Sequence, residues 1–276
     1  VTFHVITVHW LSDQWLAPQL RQIQAFMPAD TRVYASLNGI DRSLWDPFAF
    51  ADELPGNHAQ KLNALAAIAS EGAAADDFLV FMDGDAFPIA PLGPEILTDV
   101  PLAAVRRDEN LGDPQPHPCF CVTTVDFWNR IGGDWRQGYT WVNTLGYRTS
   151  DVGGNLLGQL REHNVAWRPL LRSNRVNEHP IWFGIYADLV YHHGAGFRER
   201  LARATLDLRR ARVPQWLPLL RRMDKQLAIQ GATRRRREHP PETLAHELAL
   251  SDEILTDIRA NPTFYERFTL GPVGGA

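Results

Sequence analysis

The sequence predicts an α/β chain with a single, mostly parallel sheet flanked by helices and followed by a C-terminal helical appendage. Three observations carry this expectation. Residues 2–10 (TFHVITVHW) read as a strand, residues 15–26 as a helix and residues 32–37 (RVYASL) as a second strand, and such a β-α-β unit implies parallel neighbours. Residues 78–82 (FLVFM) are apolar on both faces, as a central strand covered by helices must be. From Phe197 onward the pattern turns Arg- and Leu-rich and helical. The chain has 276 residues, 45% hydrophobic and 22% charged, enough for one sizeable core plus an extension. The expected division is a core over residues 1–200 and a helical extension over 201–276.

The elements follow in order. Ser12 and Asp13 offer a cap for the first helix, whose Trp15, Leu16, Leu20, Ile23 and Phe26 recur at helical spacing until Pro28 stops the run. Asn38-Gly39 ends the second strand as a turn signal. Residues 57–70 form an Ala/Leu-rich helix opened by Asn57, which feeds the apolar strand 78–82. After Pro88 come short strands over 102–105 and 120–124, then a helix over 125–131 ended by Gly132-Gly133. Ser150 or Asp151 can cap a helix running to His163, and strands are expected over 165–171 and 189–193. Helices are expected over 199–212, 215–230 and 241–260, with four arginines at 234–237 in a linker.

The chemistry concentrates where strand 78–82 delivers Asp83-Gly84-Asp85 to its C-terminal end. In open α/β sheets that edge binds ligands, and hard carboxylate oxygens converging there suit Mg²⁺ or Mn²⁺ carrying a phosphate. Much later, strand 189–193 ends in Tyr191-His192-His193-Gly194. A helix with His58, Lys61 and Asn63 precedes the aspartates. In this order the three features resemble the nucleotide-sugar-dependent glycosyltransferases of the GT-A fold, over roughly residues 2–197. That resemblance implies a single Rossmann-like sheet and an Asp-x-Asp that holds a divalent cation on the donor's diphosphate. Stabilising the departing diphosphate is the cation's chemical purpose.

The resemblance also implies site roles. Asp85 would bind the metal directly, and Asp83 would approach both ribose and metal. His192 or His193 would complete the coordination; a strand turns them to opposite faces, so one alone can face the cation, and the H-x-G spacing favours His192. His9 and Trp10, at the first strand-to-helix turn, would grip base and ribose. The helix with Asn63 would lie beside the nucleotide, with His58 near its N-terminus, where backbone N–H groups favour phosphate. An inverting enzyme needs a carboxylate to take the acceptor's proton, and Asp151 resembles that base in position. A plain helix cap is the competing reading of Asp151. Trp128, Trp135, Tyr139, Trp141 and Tyr147 could stack on an acceptor sugar or pack in the core. Residues 108–117 (DENLGDPQPH) read as a polar flap beside the site.

Rival chemistries leave different marks. A haloacid-dehalogenase-type phosphatase also ends a buried strand in Asp-x-Asp, but a hydroxyl residue usually stands where this chain has Phe87. A sugar nucleotidyltransferase would need a Gly-rich basic loop after the first strand, and an EF-hand would not place Phe87 and Pro94 at ligand positions. A catalytically silent binding or scaffold subunit of the same fold is the non-enzymatic alternative. The formal charge of −4 and the lack of an interleaved exposed aromatic pattern among the arginines disfavour nucleic acid as a partner. The expected partners are a nucleotide sugar and a glycan, lipid-linked or small-molecule acceptor. The Arg-rich helices suggest peripheral membrane contact or a homodimer. No stretch reaches the roughly 20 apolar residues of a membrane span, and residues 1–10 lack a signal-peptide pattern. The expectation is a cytoplasmic protein, free or resting on the inner face of the membrane. Cys119 and Cys121 read as small core residues on one face of a strand, too closely spaced for a mutual disulfide.

Overall fold

A computed structural model describes residues 1–194 and 241–270. The helices expected over 199–212 and 215–230, and the four-arginine run, lie outside the described residues. The main sheet has seven strands, and a separate two-stranded ribbon pairs β8 (Trp141–Val142) with β9 (Arg148–Thr149). The centre of the main sheet is β1 (Phe3–Trp10) between β2 (Arg32–Asn38) and β4 (Phe78–Asp83), all three parallel. Beyond β2 lies β3 (Phe50–Asp52), also parallel. On the other side β7 (His117–Thr124) runs antiparallel to β4 and to β6 (Leu102–Val105), and β10 (Arg168–Leu170) returns parallel to β6. This is the expected mostly parallel α/β sheet, with one strand reversed.

Alternation along the central strands sorts their side chains into two layers. Phe3, Val5, Phe78, Val80 and Met82 pack with Leu20, Ile23 and Met27, from and just after helix α1 (Leu16–Phe26). Ile6, Val8, Leu79 and Phe81 pack with Leu62, Leu65 and Ala66 of α2 (His58–Ser70). The same layer holds Phe127 and Trp128 of α3 (Val125–Ile131) and Leu156 and Leu160 of α4 (Gly154–Glu162). Covering both faces is what permits an all-apolar β4. Asn57 caps α2 in a full capping box with Gln60, and Gly132 ends α3 in the left-handed conformation at φ 64°.

Several local expectations change. Neither Ser12 nor Asp13 caps α1 through its side chain, since the helix opens after Trp15 in a turn where Leu16 N–H donates to Asp13 O. Nor do Ser150 and Asp151 cap α4; Gly153, in a left-handed conformation, stands at the N-cap. Cys119 and Cys121 are both buried free thiols, but they sit in opposite core layers. The β6–β7 register slips between Ala104 and Val105, and this irregularity breaks the simple alternation that put them on one face.

A second, three-stranded sheet holds β5 (Ala86–Pro88), β11 (Gly184–Tyr186) and β12 (Val190–His192), with β12 in the middle and antiparallel to both. The chain divides into two compact units, Val1–Gly194 joined by Thr263–Ala276, and Ala195–Pro262. Within the second unit, helix Pro241–Ala260 buries Ile254, Leu255 and Ile258 at helical spacing. In the first unit the returning chain packs Phe264 against Phe87 and Tyr191, and Phe268 against Tyr191 and Phe183. Arg267 pairs with Glu178, and Phe268 O accepts N–H groups from Arg175 and Val176. Among the described residues no helix is long and apolar enough to cross a membrane.

The returning segment braces the strand that carries His192. Phe268→Ala is therefore expected to lower unfolding free energy by about 3–5 kcal/mol in chemical denaturation. A change within about 0.5 kcal/mol would mean that the segment is not part of the core.

Candidate active site

The site forms where the two sheets meet. Turn Asp83-Gly84-Asp85 links β4 of the main sheet to β5 of the small one. Its middle residue must be glycine because of crowding. A Cβ on Gly84 would come within 2.8 Å of Val8 O and 2.9 Å of His9 Nδ1 at the end of β1. Gln19 of α1 fixes the turn from beneath. Its Nε2 donates to Asp83 O at 2.9 Å and to Ala86 O at 2.7 Å, clasping the turn at both ends. Its Oε1 accepts from Thr7 Oγ1 at 3.1 Å and lies 3.0 Å from His9 Nε2. Because that amide oxygen only accepts, His9 Nε2 must carry the proton. Burial lowers the His9 pKa to about 4, against the opposing pull of Gln19 and Asp85, so the ring is neutral.

The third member arrives from β12. His192 pairs with Ala86 across the small sheet, and His193 N–H donates to Asp85 O at 3.0 Å. His192 Nε2 consequently stands 3.5 Å from Asp85 Oδ1 and 3.7 Å from Asp83 Oδ2. One ligand atom from each of Asp83, Asp85 and His192 can be chosen so that all lie within 4.8 Å of one another. Octahedral Mg²⁺, with bonds of about 2.1 Å, sets its ligand atoms about 3.0 to 4.2 Å apart, so the cluster suits a small divalent cation. A further sign is Asp83 Oδ1, buried yet accepting no well-aligned hydrogen bond, although His58 Nε2 stands 3.2 Å away. Burial pushes the Asp83 carboxyl up, but His58, His117 and His192 outweigh it and hold the pKa below the usual value. The group is therefore a carboxylate, ready to ligate.

The remaining expected residues separate. His193 lies outside the cluster: its ring is fully buried against Trp15 and Phe183, and Nδ1 is 2.9 Å from Tyr191 Oη. Burial lowers its pKa to about 3. Asn63 is turned away from the sheet edge; Nδ2 donates to Asp134 Oδ1 at 2.6 Å and Oδ1 accepts from Trp135 N–H. Asp134 also accepts from Asn155 and Arg136, so Asn63 ties α2 to the loop before α4. His9 supports the aspartate turn from the core, whereas Trp10 is half exposed at the end of β1. Lys61 Nζ donates to Asn38 Oδ1 at the end of β2. Asp151 is exposed, with Oδ1 accepting from Val152 N–H at 2.8 Å. Of the aromatics, Trp128 and Trp135 pack on Phe81 in the core, while Tyr139 and Tyr147 reach the surface.

Sequence reasoning missed four residues near this edge. Gln19 had no motif to mark it. His117, at the start of β7, places its ring 5.8 Å from that of His192, and burial with the neighbouring Arg107 charge pushes its pKa well down. Arg107 is buried; its Nη2 donates to Ile181 O at 3.1 Å, and its Nε is 3.5 Å from Glu109 Oε1. Asp113, in the expected flap, is buried and accepts from Asn110. Its pKa rises to about 6, chiefly by burial and further through the Asp151 charge, against the lowering pull of Asn110 and Arg107. No local motif marks Arg107, Asp113 or His117 either.

Comparison with known proteins gives likenesses of fold only. No family model matches, and no curated protein matches. Among solved structures, mannosyltransferase PcManGT from Pyrobaculum calidifontis, in complex with GDP-Man and Mn²⁺, is 12% identical with a TM-score of 0.40. The match covers 96% of this chain and 80% of that one. Galactosyltransferase LgtC, with donor and acceptor sugar analogues, is 15% identical with a TM-score of 0.32, covering 46% of this chain and 59% of that one. S. aureus TarS 1-349 is 11% identical with a TM-score of 0.34, covering 49% and 50%. It is the convergence of Asp83, Asp85 and His192 that points to chemistry.

Two outcomes follow from this geometry. Gln19→Leu frees two turn carbonyls and the His9 ring, so stability should fall by about 1–3 kcal/mol and Mn²⁺ affinity should weaken in calorimetric titration. Unchanged Mn²⁺ affinity would separate the clasp from the site. His9 binds its proton more weakly folded than unfolded, so its contribution is complete above about pH 6.5 and is lost as pH falls toward about 4. Relative to His9→Gln, wild-type stability should drop across that window by up to about 1.4 kcal/mol per pH unit. Parallel pH profiles for the two proteins would contradict it.

Proposed function

We propose that this chain is a metal-dependent glycosyltransferase of GT-A type, moving a sugar from a nucleotide-diphosphate donor to a hydroxyl acceptor with inversion. The observation that carries the reading is the meeting of Asp83, Asp85 and His192 at the C-terminal edge of β4, where sheets of this kind bind ligands. Two carboxylates and an imidazole would hold Mn²⁺ or Mg²⁺, with Asp85 as the direct ligand and Asp83 shared with the donor ribose. A divalent cation there supplies charge neutralisation to the diphosphate as it leaves. His58, 3.2 Å from Asp83 and at the first position of α2, supports the phosphate side. Trp10, half exposed at the end of β1, offers a surface for the base.

In transfer, the acceptor oxygen forms the new bond to the anomeric carbon while the bond to the diphosphate breaks and its electron pair leaves with the phosphate. The acceptor proton passes to Asp151. Its exposed carboxylate is braced by Val152 N–H, on the chain that leads into α4. Tyr139 and Tyr147 provide exposed rings nearby in sequence for the apolar face of a glycan, lipid-linked or small-molecule acceptor. A phosphatase reading fares worse: Phe87 is fully buried between Tyr191 and Phe264. A cytoplasmic setting, with peripheral membrane contact or a homodimer through the arginine-rich extension, completes the proposal.

The test is hydrolysis and transfer with a panel of nucleotide sugars in Mn²⁺. One donor should turn over slowly without acceptor, and Asp85→Ala should abolish that turnover. Asp151→Asn should retain donor binding and lose about 10²–10⁴-fold in transfer. Cleavage of simple phosphate esters with no donor bound would replace this reading with the phosphatase.

A further inference from the structure

We propose that His117 donates its Nε2–H to the departing diphosphate of the donor, from a tautomer that its own backbone fixes. The inference rests on the transferase reading above and adds a residue to that site.

Position comes first. Along the β4–β7 ladder Met82 faces Phe120, so His117, three residues before Phe120, lies past the end of β4 beside the aspartate turn. Its ring stands 5.8 Å from that of His192, inclined at 42°. His58 Nε2 stands 3.2 Å from Asp83 Oδ1 and His192 Nε2 3.7 Å from Asp83 Oδ2, so His117 is the third imidazole beside this carboxylate.

Chemistry then separates the roles. His117 Nδ1 accepts the N–H of Cys119 at 3.1 Å. A backbone N–H can only donate, so Nδ1 presents its lone pair and carries no proton. In a neutral imidazole the proton is then on Nε2, and that nitrogen has no lone pair for a cation. His117 is thereby excluded from the ligand set that His192 joins, and it can only offer a hydrogen bond. Among the described residues Nε2 has no hydrogen-bond partner. A donor fixed before binding costs no reorganisation when charge develops on the departing diphosphate.

The fixing contact sits within one strand. Pro118 and Pro116 flank His117 and hold the chain extended, and the i to i+2 contact from Cys119 N to the ring sets the side chain. Cys119 is itself fully buried in the core layer beneath β7, so the donor N–H is anchored.

Two substitutions part the ring's nitrogens. His117→Asn keeps an acceptor near Nδ1 and deletes the distal donor; His117→Gln places an amide near Nε2 and gives up the proximal acceptor. The probes are UDP, GDP, CDP and dTDP, titrated into the full chain with saturating Mn²⁺, and Mn²⁺ titrated alone. His117→Asn is expected to weaken the preferred nucleoside diphosphate about tenfold or more, the value of a hydrogen bond to a charged group. His117→Gln should retain most of the affinity, and Mn²⁺ alone should bind both variants as it binds wild type. Wild-type diphosphate affinity in His117→Asn, equal loss in both variants, or weakened binding of Mn²⁺ alone would each overturn the proposal. If wild type itself binds none of the four diphosphates, the transferase reading falls, and this inference with it; loss confined to the variants leaves that reading standing.

Discussion

The carboxamide of Gln19 is the joint on which the site depends. One buried side chain holds Asp83 O and Ala86 O with its two N–H groups while its oxygen engages Thr7 and His9 of β1. The amide thus fastens three elements at one point: α1, the end of β1 and the turn between the sheets. Its polar groups are satisfied within the protein, which is the condition for a buried polar side chain to specify geometry rather than weaken the core. The aspartates that the turn carries are separated by a glycine that approaches Val8 O too closely for any other residue. The Gln19 clasp sets where the turn lies, and the crowding at the end of β1 sets its middle residue.

Electrostatics then explains the company the turn keeps. Two carboxylates at a buried sheet edge repel each other and lose hydration. His58 and His192 stand 3.2 and 3.7 Å from Asp83, and the His117 ring lies beside that of His192. Imidazoles can ligate, donate or carry charge according to which nitrogen is engaged, and each ring here is engaged differently. His192 turns Nε2 toward both carboxylates, His117 spends Nδ1 on its backbone, and His193 is held by Tyr191 away from the cluster. The polarity of the small sheet follows the same division, with His192 facing the site and His193 the aromatic packing around Phe183 and Trp15.

The sequence made the frame readable because its signals were local. The β-branched first strand, the Ala/Leu-rich helix behind Asn57 and the all-apolar FLVFM each specify an element within a dozen residues. The Asp-x-Asp turn was also accessible, because it follows directly on the apolar strand; alternation showed that His192 and His193 face opposite ways, but which of them faces the turn depends on the distant pairing of Val190–His192 with Ala86–Pro88. What escaped was set by distant pairing. Strand Ala86–Pro88 exists only through its ladder with Val190–His192, over a hundred residues later in the chain. Asn63 looked like a ligand because it sits on the right helix; its partners Asp134 and Trp135 lie some seventy residues away. Gln19 resembles any other polar residue of a helix until the turn it clasps is known. Asp113 gained its raised pKa from burial that a polar, proline-rich stretch does not announce.

The central claim is that Asp83, Asp85 and His192 form one divalent-cation centre on the diphosphate of a nucleotide. Anomalous diffraction at the manganese edge, from crystals grown with Mn²⁺ and the tightest-binding nucleoside diphosphate, tests it directly. The account predicts a single strong peak about 2.0 to 2.3 Å from a carboxylate oxygen of Asp85 and from His192 Nε2, with Asp83 and the phosphate oxygens completing the shell. A peak that engages the nucleotide but lies away from Asp85 and His192 would contradict it.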